Sequence, residues 1–424
     1  MIKKGILITI IFVISTFIQL LSQIIITRIF GAKLDIDIFL AAVAIPTIAV
    51  TVIYGTLNDA FLPLYGEKKA SNPEKSDEYF ISSLITLGTI SFVIAWIFSF
   101  FTNPISAFLY GNRGEEFVKN VAVQMSYMSF SLPLSVIATL LGAYYYTHKK
   151  FSRFPFAQLI GSLTNLLLIV ILAPYLGIFS LVIAFVINIF FQIILVIPKA
   201  IINFKFKLVN VLPLFIAWIP LIIGNFALRS DILLMRSFAS NLPEGYFVYL
   251  NLVSKIFALS TSVMTIGIQV LLLPHLVDYF SQKLHEKAIA NVAKAKIIAV
   301  FISIIVTILL ILLAPLAINI LFVGGKFSQE DARITISLLP LFVLPAIGWG
   351  VNAVFFQPLL ALRKQYQLGL INIFALFISW TSAWFINKYL GPLPAITWGL
   401  IILLFTGIIG SEILWHYYKK KLLS

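Results

Sequence analysis

The sequence predicts an all-α polytopic membrane protein: about twelve transmembrane helices in two six-helix bundles, an N-lobe and a C-lobe, around a central cavity. Three observations predict it. Of 424 residues 61% are hydrophobic and 11% charged, at a mean hydropathy of +1.04, whereas soluble chains carry about 25% charged residues. Apolar runs recur along the whole length, each near the roughly 20 residues that cross a hydrocarbon core. Short motifs of the first half return in order in the second.

The first span, 5–27, follows Lys3 and Lys4 and continues past Ile26 without a small-residue cleavage pattern, so it reads as a retained helix rather than a secretory signal. The second, 37–62, is followed by Lys68, Lys69 and Lys75. The third and fourth, 79–102 and 119–147, flank a Gly111-Asn112-Arg113-Gly114 turn. After Lys149, Lys150 and Arg153 come the fifth, 155–173, and the sixth, 177–197. The basic stretch Lys199 to Lys207, with Asn203 to Lys207 as the linker, divides a lobe of residues 1–202 from one of 203–424. The seventh and eighth, 209–238 and 246–279, meet at a loop near Leu242, and the ninth and tenth, 292–321 and 334–360, are split by Gly324 to Ser328. The eleventh, 367–388, follows Arg363 and Lys364; the twelfth, 394–417, precedes Lys419 to Lys421. Helix-plus-loop units of about 35 residues leave no length for a catalytic domain outside the bilayer.

The loops sort their cations. One side of the membrane receives 20 of the 30 Lys and Arg; the other receives Arg28, Lys33, Arg113, Lys119, Lys326, Arg333 and Lys388. By the positive-inside rule both termini are cytoplasmic and the helix count is even. The net charge of +14 is therefore topology rather than nucleic-acid binding. With no Cys and four scattered His, neither disulfide nor metal site is expected.

Four echoes relate the halves at offsets of 208 to 214 residues: Arg28-Ile-Phe-Gly with Arg236-Ser-Phe-Ala, Leu62-Pro63 with Leu273-Pro274, Phe108 to Gly111 with Leu321 to Gly324, and Lys149-Lys150 with Arg363-Lys364. Repeats of one topology, related by an axis along the membrane normal, place a substrate cavity between them. Polar stripes mark faces able to line it: Thr16, Gln19, Gln23 and Thr27 in the first span, and Asn251, Lys255, Ser262, Thr265 and Gln269 in the eighth. Uncharged stripes equally serve helix packing in lipid; Lys255 tips the second toward a cavity.

Three cations remain, assigned to neither side and lying in the membrane: Arg229, Arg236 and Lys255. Each costs about 2.5 to 3.5 kcal/mol even on the lenient insertion scale, so each needs partners, water or a task. Arg229 and Lys255 both lie 13 residues from Leu242, hence at similar depth on antiparallel helices. Two cations at one level suit a bound diphosphate; the competing reading is ion pairs with Asp231 or Asp59. Arg236 either snorkels to its helix end or joins the cavity. No G-x-x-x-x-G-K-[ST] loop is present, so ATP hydrolysis within the chain is excluded. Asp59 and Asp231 are the intramembrane acids able to take H+ or Na+ as coupling ion; Glu412 reads as a surface ion pair.

At this point the residues resemble a family. Thr27 to Ala32 with Asp37 and Pro46, then Asp59 to Pro63, Lys150-Phe151-Ser152, Leu271 to Pro274, and Leu321-Phe322 with Gly325 to Ser328 and Asp331 resemble the signature stretches of the MurJ/MviN lipid II flippases of the MOP exporter superfamily. The resemblance implies outward flipping of a polyprenyl-diphosphate-linked saccharide by alternating access across the bacterial cytoplasmic membrane. It implies membrane lipids around a working monomer, and no cofactor beyond a coupling ion. It places Arg28 and Asp37 at charged family positions and Lys255 where the family has a cavity Arg. A Na+ site of some members would fall at Asp231 and Asn372. Candidate substrate contacts are thus Arg28, Asp37, Asp59, Arg229, Arg236, Asn251 and Lys255. Thr16, Ser22, Val50 and Thr51 stand where the family carries further arginines, and about twelve spans stand against its usual fourteen. These departures keep a capsule or O-antigen unit in view as substrate. A cation antiporter of the related multidrug type and a scaffold without transport are the remaining alternatives. Cation export would want carboxylates and aromatics in the cavity, and Arg229 with Lys255 favours an anion instead.

Overall fold

A computed structural model describes residues 2–71, 73–198, 201, 209–264 and 270–423. Among them the secondary structure is helical, with one isolated bridge between Gly324 and Phe327. Among the described residues eight helices are long and apolar enough to cross a membrane. A ninth is a bent pair, and Ile14–Phe30, Phe179–Leu195 and Tyr246–Ala258 are shorter apolar helices. The chain divides into two compact units, residues 1–222 and 223–424. The expected linker Asn203 to Lys207 lies outside the described residues.

The first unit contains α1 (Ile2–Phe30), α2 (Leu34–Ala42), α3 (Ala44–Ser71), α4 (Pro73–Tyr110), α5 (Glu115–Ser129), α6 (Ser131–Thr147), α7 (Arg153–Leu176), α8 (Phe179–Leu195) and the start of α9 (Leu212–Leu228). α6 packs on α3, α4 and α8, and α7 packs on α1 and α8. The core they enclose is rich in rings, with Phe61, Tyr65, Tyr79, Phe80 and Phe154 buried. α4 turns Phe92, Trp96, Phe100 and Phe101 outward, the arrangement lipid requires. Close packing relies on small residues: a Cβ at Gly142 would meet the Phe154 ring at 2.6 Å.

The second unit contains the rest of α9, then α10 (Asp231–Ala239), α11 (Tyr246–Met264), α12 (Val270–Ser281), α13 (His285–Ala317), α14 (Gln329–Leu338), α15 (Val343–Phe355), α16 (Gln357–Ala361), α17 (Gln365–Leu390) and α18 (Pro392–Leu423). α15 packs on α11, α13 and α18, and α18 packs on α10 and α17. α9 crosses α17 so closely that a Cβ at Gly224 would stand 2.8 Å from the Gly369 Cα. α13 presents Ile297, Phe301, Ile305, Ile308, Leu312 and Leu316 outward.

Several predicted spans are interrupted helices. The second breaks at Val43 and the fourth after Ser129, one turn before Pro46 and Pro133, whose rings exclude the carbonyl four residues earlier from the helical ladder. The seventh breaks at Arg229-Ser230 with a bend of 41°. There the Ser230 hydroxyl donates back to the Phe226 carbonyl at 2.8 Å. Three helix ends carry a cation in the left-handed conformation: Lys149 (φ 57°), Lys283 (φ 58°) and Arg363 (φ 59°). In each, the next N–H closes onto a carbonyl five residues earlier, Lys150 to Tyr145, Leu284 to Tyr279 and Lys364 to Leu359, at 2.8 to 2.9 Å. Glycine is the usual residue there; a cation offsets its strain by lying at the negative end of the helix dipole.

Candidate functional site

In the first unit Arg28 is exposed on the last turn of α1, and Asp59 is exposed on α3. The stripe on α1 bonds partly to itself: Thr27 donates to the Gln23 carbonyl at 2.8 Å, and the Gln23 amide donates to Thr27 at 3.3 Å. Asp37 is fully buried. Its carboxylate lies 3.6 Å from the Arg113 guanidinium, which in turn covers the Phe117 ring at 5.5 Å.

The second unit holds the remaining positions. Arg229 is exposed in the break between α9 and α10, two residues before Asp231. The Asp231 carboxylate accepts the Ile232 N–H at 2.9 Å and the Trp349 indole N–H at 3.0 Å. Arg236 is buried in α10, and Lys255 is exposed on α11. Asn251, one turn before Lys255, is buried, and its amide nitrogen makes no hydrogen bond. The buried Asn372 amide donates to the Gly224 carbonyl at 3.4 Å. Gly224 and Gly369, one turn before Asn372, set this distance by letting α9 and α17 touch. The stripe positions Ser262, Thr265 and Gln269 have side chains outside the described residues. Among the described residues no group of His, Asp and Glu has the makings of a metal site.

The expected level pair was Arg229 with Lys255. The structure puts a helix break at Arg229-Ser230, beside Asp231, and puts Lys255 in the middle of α11. Other polar partners carried no signal in the sequence. Trp349 read as one more apolar residue of a span, and Arg113 as a loop cation. Lys296, at the start of the ninth predicted span, is buried. It pairs with Glu412 while lying 4.8 Å and 5.7 Å from the Phe355 and Trp415 ring centres. The charge at Lys296 was visible; its depth was not.

Comparison with known proteins follows the same pattern. A family model described as "Lipid II flippase MurJ" matches residues 26–421. A "Probable lipid II flippase MurJ" of Borreliella burgdorferi is 25% identical over 368 residues, covering 84% of this chain and 72% of that protein. One of Bdellovibrio bacteriovorus is 26% identical over 195 residues, 46% of this chain and 36% of its own length. Among solved structures, "Lipid II flippase MurJ, inward closed conformation" superposes with a TM-score of 0.82 at 18% identity, covering 99% of this chain and 89% of the other.

Proposed function

The chain belongs to the lipid II flippase MurJ family, and from that premise we propose that it moves a polyprenyl-diphosphate-linked saccharide, a lipid II-like cell-wall precursor, across the bacterial cytoplasmic membrane by alternating access. It acts as a transporter and not as an enzyme. The observation that carries the reading is the Arg236 and Lys255 pair. Cations carried inside membrane-spanning helices, Arg236 on α10 and Lys255 on α11, suit a diphosphate, which receives charge-assisted hydrogen bonds from both. The Asn251 amide nitrogen, buried without a partner one turn from Lys255, supplies a neutral donor to the same anion. Asp231, held by Trp349 and two residues after Arg229, is the acid for a coupling cation, H+ or Na+, with Asn372 as the second oxygen. We place both termini on the cytoplasmic side and expect a monomer.

The test is translocation of a fluorescent polyprenyl-diphosphate saccharide in proteoliposomes, with melting temperature measured alongside. Each charge-assisted contact is worth about 1.5 to 3 kcal/mol, so Lys255→Ala and Arg236→Ala should each slow translocation roughly tenfold to hundredfold. Lys255→Arg should retain most activity. Full activity in the double alanine variant, folded in the membrane, would sink the proposal.

A further inference from the structure

Each unit ties the start of its second span to the turn that opens its fourth. In the first unit, Asp37 near the start of α2 meets Arg113, the last residue of the turn between α4 and α5. Beside it the Tyr110 hydroxyl, at the end of α4, donates to the Ala41 carbonyl at 3.2 Å, and the Tyr110 ring packs edge-on against Phe117. Tyr110 is fully buried. In the second unit, Tyr249 near the start of α11 donates its hydroxyl to one oxygen of Asp331 at 2.6 Å. The other oxygen accepts the Ser328 N–H at 2.7 Å and its hydroxyl at 2.8 Å, closing the turn before α14. Phe327, in that turn, is buried.

The two connections are related by the internal repeat. Tyr249 lies 212 residues after Asp37, within the 208 to 214 offsets of the four sequence echoes, and both turns follow the echo of Phe108 to Gly111 with Leu321 to Gly324. Only the chemistry is exchanged. In the first unit the acid is on the span and the cation on the turn; in the second a hydroxyl is on the span and the acid on the turn. Either arrangement joins the same two elements, so the connection survived while the bonding groups changed.

We infer that these are one clasp, present twice, and that Asp37 and Tyr249 serve transport as positioning residues, holding the second span against the fourth, rather than by touching the substrate. A carboxylate with no exposed surface, already facing a guanidinium, has nothing to offer an anionic headgroup and would repel it. Transport enters only through the flippase reading; the clasps themselves stand on contacts within each unit.

Two measurements test this on the full chain. The first is a melting cycle in detergent, which does not depend on what is transported. Asp37→Asn and Arg113→Ala should each lower Tm by about 2 to 4 °C, and the double variant should fall no further than the worse single one. Tyr249→Phe, Asp331→Asn and their double variant should repeat the pattern. Additive losses in either unit would overturn the clasp. The second measurement is translocation of the fluorescent polyprenyl-diphosphate saccharide against its concentration. Arg113→Ala should lower the maximal rate as much as Asp37→Asn, at least tenfold, at unchanged half-saturation, and Arg113→Lys should recover most of it. Should Asp37→Asn not fold, the Arg113→Ala and Arg113→Lys comparison decides alone. Arg113→Ala at the wild-type rate, or a raised half-saturation in Asp37→Asn, would put Asp37 on the substrate and overturn the assignment. A wild-type protein that moves no saccharide would instead defeat the flippase reading and leave the melting cycle standing.

Discussion

Residues 1–222 and 223–424 carry sequence echoes of one another, yet they treat charge differently. In the first unit the interior is stacked rings, Phe61 on Tyr65 at 5.2 Å and Phe80 beside Tyr144 at 4.7 Å, and the Asp37–Arg113 pair sits where a span meets a turn. In the second, charge runs into the spans: Arg229, Asp231, Arg236 and Lys255, with Lys296 on Glu412. Charge held in hydrocarbon is costly and is kept where it has partners or a task. The second unit therefore carries more charge inside its spans that needs a partner or a task than the first does.

Packing offers the largest test of that contrast. Gly224→Ala in the second unit would drive a Cβ to 2.8 Å from the Gly369 Cα, and backbone cannot swing aside. The variant should lose about 1 to 3 kcal/mol, seen as a lower Tm in detergent. Gly66 on α3 of the first unit has nothing within 4 Å of its added Cβ, so Gly66→Ala should hold or slightly raise Tm, Ala being the better helix former. Equal losses at both would show that the contact of α9 with α17 tolerates a Cβ no worse than open helix surface does.

A smaller effect is expected at Lys296. Breaking a buried pair by removing one partner commonly costs about 3 to 5 kcal/mol. In Glu412→Gln, however, the ammonium keeps the Phe355 and Trp415 faces, and Glu412 is 44% exposed. A loss of about 1 to 2 kcal/mol is expected. Lys296→Met should be milder, because the carboxylate left behind can hydrate. Melting curves that reverse this order would show that the acid, not the lysine, is the buried partner.

The smallest effect should be the same in both units. Lys149→Gly and Arg363→Gly each remove a left-handed strain of about 1 to 2 kcal/mol and lose a helix-end charge worth about 0.3 to 1 kcal/mol. Thermal melts should place both variants within about 3 °C of the parent, and a large shift in only one would mean that its corner has a further partner.

Much of this organisation was legible beforehand. The apolar runs, the one-sided lysines and the paired Lys149-Lys150 and Arg363-Lys364 motifs are local properties, visible without knowing any neighbour. Breaks within spans were less so. Pro46 and Pro133 follow interruptions, while Pro63, Pro104, Pro174 and Pro315 lie inside continuous helices. Whether a proline ends a membrane helix depends on whether surrounding groups satisfy the carbonyl it frees, and the sequence around the proline does not say.

The site divides along the same line. Sequence alone determined which charges are unusual: Arg229, Asp231, Arg236 and Lys255 stand out because an ionised group inside an apolar run is expensive wherever the run folds. Tertiary structure decided what they meet. Equal spacing from Leu242 puts Arg229 and Lys255 at one depth only if both helices run straight, and the seventh span breaks at Arg229-Ser230 with a bend of 41°. Tertiary structure also decided that Trp349 reaches Asp231 and that Tyr249 reaches Asp331. Burial cost is set by a residue and its immediate neighbours in the chain. Pairing is set by the rotation, depth and bending of helices from distant segments, which only packing establishes.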